Sequence, residues 1–126
     1  MEFNVEQIAR ICHEANRAYA QTLGATAPPT WEESPAWMQA SECAGVRAHL
    51  SRTLTPQESH EAWMKERRES GWVYGPDKNI EQKTHPALLP YEHLPLETRL
   101  KDYIFRAVVE AFKTCAEMET PVSHGA

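Results

Sequence analysis

HEAWMKERRESGWVYGPDKNIEQKTHPALLPYEHL, residues 60–94, decides how the chain is read. The stretch leaves helical periodicity at Gly71, a left-handed stop, and passes into a short aromatic and β-branched run, Trp72-Val73-Tyr74, closed by Gly75-Pro76. Two indoles, Trp63 and Trp72, offer flat polarisable faces. Lys65, Arg67, Arg68, Lys78 and Lys83 add positive charge around the same glycine-rich corner. An ordinary core helix does not combine these groups, whereas a site for a flat, anionic or phosphate-bearing ligand does.

Upstream of this stretch, Thr55-Pro56-Gln57-Glu58 is the clearest boundary in the chain. A threonine cap, a proline where the missing N–H costs nothing and a glutamate that can reach back predict a helix from Pro56 to about Ser70. At the amino terminus Val5, Ile8, Cys12, Ala15 and Tyr19 recur at steps of three and four, one apolar stripe on a helix capped by Asn4 and ending near Leu23 and Gly24. Ala25 to Pro29 breaks the pattern. Thr30-Trp-Glu-Glu33 and Ser34-Pro35 then give overlapping start signals for a second helix, from about Pro35 to Leu50. Its mixed face carries Trp37, Met38, Ser41, Cys43 or Ala44, and Leu50. Downstream, the charged run 77–84 reads as an exposed loop, and Ala87-Leu88-Leu89 is expected to pair with residues 72–74. Pro95 opens a last helix whose apolar stripe is Leu100, Ile104, Ala107, Val108, Ala111 and Cys115, and the tail after Met118 is expected to fray.

The fold class that follows is mainly α, α+β only through minor short strands: about four helices and one short two-stranded or extended segment. At 126 residues the chain fits one domain, 1–126, long enough to bury a core without disulfides. Its parts are an N-terminal helical region, 1–54, a core module, 55–115, and a flexible tail, 119–126. A hydrophobic content of 41%, charged content of 25% and mean hydropathy of -0.60 exclude a membrane span. A net charge of -5 and pI near 5.7 argue against general nucleic-acid binding, which needs a basic surface, so any anion must be met by a local pocket. The amino terminus, MEFNVEQIARIC, lacks a leader pattern, and Cys12, Cys43 and Cys115 are an odd, widely spaced set. Both features point to the cytoplasm and to free thiols.

Cys12 and Cys115 fall on predicted buried stripes, which favours packing over a catalytic thiol. His13, His49, His60, His85, His93 and His124 are scattered without metal-binding spacing, so no metal and no cofactor are expected. His60 and Glu61 resemble a base and its orienter, but no separate nucleophile accompanies them and no catalytic residue is assigned. Trp63 lies among polar neighbours on its helix, which favours a partly open ring. Trp72, just past the helix stop, reads as core or pocket wall. Of the two arginines, Arg67 stands one turn from Trp63.

His60-Glu-Ala-Trp63, Gly71-Trp72-Val-Tyr74-Gly75-Pro76, His85-Pro86-Ala-Leu-Leu-Pro90-Tyr91 and Leu94-Pro95 together resemble the repeat domain of ryanodine receptors, the RyR domain, over roughly residues 55 to 112. Ala87 stands where cysteine is expected and Asp77 where valine is common. The preceding region, residues 13–24 and 29–50, looks like that of small free-standing bacterial and bacteriophage proteins carrying this domain. The resemblance implies long helices with short extended pieces. In receptors two repeats form a pseudo-twofold unit with adenine nucleotide in the cleft and the tryptophan of the His-x-x-Trp motif stacked on the base. Carried over, this makes Trp63 the stacking residue, with His60 beside it and Lys65 and Arg67 as candidates for phosphate or ribose. A lone module could recreate the unit as a homodimer, since a twofold interface reuses one patch.

The expected function is therefore non-catalytic binding of a nucleotide or nucleotide-derived signal. The expected ligand residues are Trp63, His60, Arg67, Lys65, Trp72, Tyr74 and His85, with Asn16, Arg17 and Tyr19 of the first helix completing the site. A phage origin would make the protein a sponge that sequesters a cyclic-nucleotide or ADP-ribose-type immune signal of the host. A scaffold module anchored by Trp31, Trp37 and Trp63 is the alternative reading. Hydrolysis of a nucleotide signal, dependent on His60, Glu61 or His85, is a third.

Overall fold

The computed structural model describes residues 3–119. Their elements follow in the order α1 (Val5–Thr22), α2 (Ala36–Ser51), α3 (Pro56–Glu69), β1 (Val73–Tyr74), β2 (Thr84–His85), a 3-10 turn (Tyr91–His93) and α4 (Leu96–Glu119). The fold is mainly α with a minor two-stranded sheet. The described residues divide into two compact units, one from residues 3–53 and 103–119, the other from Leu54–Asp102.

In the first unit the Asn4 side chain accepts from Gln7 N–H while the Gln7 side chain accepts from Asn4 N–H, a reciprocal cap that starts α1. Gly24, at φ +70°, ends it: Gly24 N–H bonds Gln21 O and Ala25 N–H bonds Ala20 O. Thr30 and Glu33 close a turn through their side chains, and the helix begins only after Pro35. Ile8, Ala9, Cys12, Trp31, Val46 and Val109 form the core, flanked by Val5, Cys43, Phe105, Val108 and Phe112.

The buried face of α4 differs from the expected stripe by about one position around the wheel. Phe105, Val109 and Phe112 turn inward, whereas Leu100, Ala107, Ala111 and Cys115 are exposed. Two phenylalanines and a valine remove more apolar surface from water than alanines and a cysteine, so their burial sets the rotation of the helix. On α2, similarly, Met38, Val46 and His49 are buried while Trp37 and Leu50 face outward.

The segment before α2 is clamped by three α1 side chains. His13, 4% exposed, meets Glu42 Oε1 with Nδ1 at 2.9 Å and Pro29 O with Nε2 at 2.7 Å. Glu14 Oε2 accepts from Trp31 N–H at 2.9 Å, and Arg17 Nε donates to Pro28 O at 3.1 Å. Both ring nitrogens of His13 face acceptors, so the ring satisfies both only as imidazolium. Burial opposes that charge, but the Glu42 and Pro29 hydrogen bonds and the Glu42 and Glu14 charges outweigh it and hold the His13 pKa above its ordinary value.

In the second unit Thr55 and Glu58 form the expected capping box, with Pro56 at the first helical position of α3. The helix stops at Gly71, φ +92°, where Gly71 N–H reaches Arg68 O and Trp72 N–H reaches Arg67 O. This is the glycine-terminated closure in which the residue after the glycine folds back onto the last turn. Lys83, itself at positive φ, donates Nζ to Ser70 O at 2.8 Å and so satisfies a carbonyl of that last turn.

β1 and β2 run parallel in the register Val73↔Thr84 and Tyr74↔His85. Ala87-Leu88-Leu89 does not supply the pairing strand. Pro86 has no N–H to extend the ladder, and Ala87 N–H is taken by His85 Nδ1 at 3.0 Å, so the chain turns and Leu88 enters the core with Met64 and Trp72. Gly75 permits the close approach of the two segments, because a Cβ there would lie 2.7 Å from Thr84 Cβ. The tail expected to fray lies, beyond Glu119, outside the described residues.

Candidate functional site

The glycine stop of α3 assembles the aromatic and cationic groups. Folding Trp72 back onto α3 sets its ring beside Arg67, whose Cζ lies 5.8 Å from the Trp72 ring centroid and 5.5 Å from that of Trp63, one turn earlier. The guanidinium thus lies against two indoles, 8% exposed, with Nη1 3.2 Å from Glu66 Oε1. Weakly hydrated and planar, guanidinium tolerates such a place better than an ammonium would.

Two histidines complete the surroundings of Trp63. His60, one turn before it on α3, stacks on the indole with centroids 5.5 Å apart and planes at 27°. His85, delivered by β2, meets the same indole edge-on at 5.0 Å and stands 6.4 Å from Trp72. His85 Nδ1 accepts the Ala87 N–H, so the neutral ring carries its proton on Nε2. Burial, followed by the positive charges of Lys78, Lys101 and Arg67, pushes its pKa down to about 4, and the ring is a neutral donor at physiological pH.

His60, 3% exposed, lies 2.8 Å from Leu89 O through Nε2. A carbonyl only accepts, so Nε2 carries the proton and Nδ1 of the neutral ring carries the lone pair, directed toward Asp102 Oδ2 at 3.9 Å. Burial holds the His60 pKa below its ordinary value, against the pull of the Leu89 hydrogen bond and of Glu61. Burial also lifts the Asp102 carboxyl to about 7, with Lys101 opposing. Desolvation works against the charged form of each partner, so the contact is better described as acid and neutral imidazole than as an ion pair. Tyr91 of the 3-10 turn stands 6.1 Å from His60, and Arg99 Cζ lies 6.0 Å from the Tyr91 ring.

Trp63, His60, Arg67, Trp72 and His85 are therefore brought together, with the Trp63 ring half-buried and Trp72 in the core. Lys65 is not part of this group. Two residues beyond Trp63, it lies roughly 200° around the helix, is exposed and has its ammonium 3.9 Å from Glu69. Tyr74 is 54% exposed on β1. Asn16, Arg17 and Tyr19 belong to the other unit, where Arg17 already holds Pro28. Asp102 was missed in the sequence. Had the inward face of α4 been placed on Phe105 and Val109, Asp102 would have stood on that same face, a lone acid at a partly buried position.

A shallow cavity of about 180 Å³ opens in the first unit between Asn4, Glu6, Gln7, Arg10 and Trp31. Asn4 and Gln7 are engaged in the α1 cap and Arg10 in an ion pair with Glu32, and none of the expected ligand residues lines it. Among the described residues, no three histidine, cysteine, aspartate or glutamate side chains are grouped to hold a metal ion, and no helix is long and apolar enough to cross a membrane.

The fold and this cluster define a small helical module in which an aromatic and cationic corner is built around the end of one helix. The RyR domain model matches residues 47–124, more than half of the chain, and the chain belongs to that family.

Proposed function

We propose that this RyR-domain protein is a non-catalytic binding module for a nucleotide or nucleotide-derived signalling molecule. The observation that carries the reading is the environment of Trp63: a half-buried indole with a guanidinium at 5.5 Å, a neutral histidine donor at its edge and a second histidine stacked on it. A base entering here shares the indole with Arg67. Displaced from the ring, the guanidinium still presents its N–H fork, and a ligand phosphate is a stronger partner for it than the solvent-facing Glu66 carboxylate. His85 Nε2–H supplies a donor whose protonation is fixed over the physiological range. Base–aromatic stacking contributes about 1–3 kcal/mol, and charge-assisted phosphate contacts add to it, which is enough for micromolar binding.

Two copies of the chain enclosing one ligand, as the two repeats do in receptors, is the assembly that suits a site on one face of a small module. In a phage-infected bacterial cytoplasm such a protein acts as a sponge, lowering the free concentration of a cyclic-nucleotide or ADP-ribose-type signal without cleaving it. The scaffold reading is weakened by the burial of Trp31, which leaves Trp37 as the exposed tryptophan of the first unit.

Calorimetry with a panel of linear and cyclic nucleotides and ADP-ribose, with recovery of intact ligand afterwards, tests the proposal. Trp63→Ala is expected to weaken binding about 5- to 150-fold, the equivalent of one lost stacking contact. Absence of binding by the unaltered protein at millimolar ligand would dismiss it.

A further inference from the structure

Asp102 approaches the proposed site from α4, with Oδ2 3.9 Å from His60 Nδ1 and side-chain exposures of 23% and 4% for the two residues. His60 Nε2 is committed to Leu89 O at 2.8 Å, so the remaining ring nitrogen faces the carboxyl with a lone pair. An ionised carboxylate there would set negative charge against a lone pair in a poorly hydrated place, and a single proton on either partner removes the conflict.

Resting on the nucleotide-site reading above, we propose that Asp102 is a positioning residue of that site. Protonated, it stands as a neutral group 3.9 Å from the His60 Nδ1 lone pair, behind Trp63, and loss of that proton leaves a negative charge that opposes an anionic guest. Binding of a phosphate-bearing ligand is then coupled to keeping the proton, and affinity falls as the solution becomes alkaline. The pair is faced by Glu61 and Arg68 from α3, by His85 from β2, by Tyr91 from the 3-10 turn and by Lys101 from α4. Arg68 and Lys101 favour release of the proton and Glu61 favours its retention. Burial of both partners is the largest influence on each, and it favours the neutral pair.

Two measurements test this. In the ligand-free protein, the Asp102 carboxyl ¹³C resonance is followed from pH 4 to 9. A midpoint near neutrality is expected, and an ordinary carboxylate midpoint near 4 overturns the proposal. In the second, cyclic AMP is the probe, because its phosphodiester keeps one charge throughout this range. Its affinity for the unaltered protein is expected to fall by about fivefold or more between pH 6 and 8.5. For Asp102→Asn, which retains a donor toward His60 Nδ1 but cannot ionise, affinity is expected to stay level. Equal pH dependence in both proteins, or none in the unaltered one, overturns the coupling. If Asp102 titrates near neutrality but neither cyclic AMP nor any other nucleotide binds at any pH, the nucleotide reading fails and its coupling to the proton fails with it, while the protonated Asp102 stands.

Discussion

Replacing Glu42 by glutamine should lower stability at pH 6 far more than at pH 9. In the folded protein His13 is sealed between Glu42 Oε1 at 2.9 Å and Pro29 O at 2.7 Å, and both contacts require N–H donors on the ring. Hydrogen bonds to a charged partner contribute about 1.5–3 kcal/mol, and breaking a fully buried pair costs about 3–5 kcal/mol. Glu42 keeps 25% of its side chain in solvent, so the low end applies: about 2 kcal/mol for Glu42→Gln, or about 6–8 °C in Tm for a domain of this size. The sign with pH follows from the raised His13 pKa. A group whose folded pKa exceeds its unfolded value of 6.5 stabilises fully below that value, and the contribution disappears as pH rises through the folded one. As pH rises through the folded pKa the ring of the unaltered protein loses its proton, and the melting temperatures of the two proteins should converge toward pH 9. Circular-dichroism melts at the two pH values decide the matter; an equal drop at both would show that the clamp does not depend on an imidazolium.

Three further outcomes are expected. Thr55→Ala, which removes the acceptor for Glu58 N–H at 3.1 Å, should cost about 1 kcal/mol in chemical denaturation without altering the slope of the transition. Gly75→Ala, which forces a Cβ to 2.7 Å from Thr84 Cβ, should destabilise by about 1–3 kcal/mol and speed amide exchange at Val73 and Gly75, whose N–H groups bond across the strand pair. The Cys12 thiol, pushed up to about 12 chiefly by burial, should resist a thiol-modifying reagent in the native state while exposed Cys115 reacts; mass spectrometry of the labelled peptides checks both, and prompt labelling of Cys12 would contradict its place in the core.

The parts of the fold that were legible in the sequence are those fixed by local chemistry. The Asn4 and Thr55 caps and the glycine stops at Gly24 and Gly71 each rest on hydrogen bonds closed within a few residues. What was not legible depends on competition between distant surfaces. The face that α4 buries is set by what Phe105 and Phe112 gain against α1 and α2, and no periodicity within α4 alone ranks that gain above the Leu100–Cys115 stripe. The partner of β1 was misplaced because the fate of the Ala87 N–H, captured by a histidine side chain two residues earlier, is invisible before the chain is folded. At the site, Trp63, His60 and Arg67 could be grouped from helical spacing. His85, also expected at the site, and Asp102, which was not, arrive from elements more than 20 positions away in sequence, beyond the reach of helical spacing.

Two imidazoles touching one half-buried indole give the protein its own optical gauge. Trp31 and Trp72 are enclosed, each with one imidazole near it, His13 at 5.8 Å and His85 at 6.4 Å, whereas Trp63 lies against two, at 5.5 and 5.0 Å. Charged imidazole dims a neighbouring indole far more strongly than neutral imidazole does. Acidifying the solution should therefore darken position 63, read as the difference from Trp63→Phe, and a guest wedged against that ring should change the brightness without any dye attached.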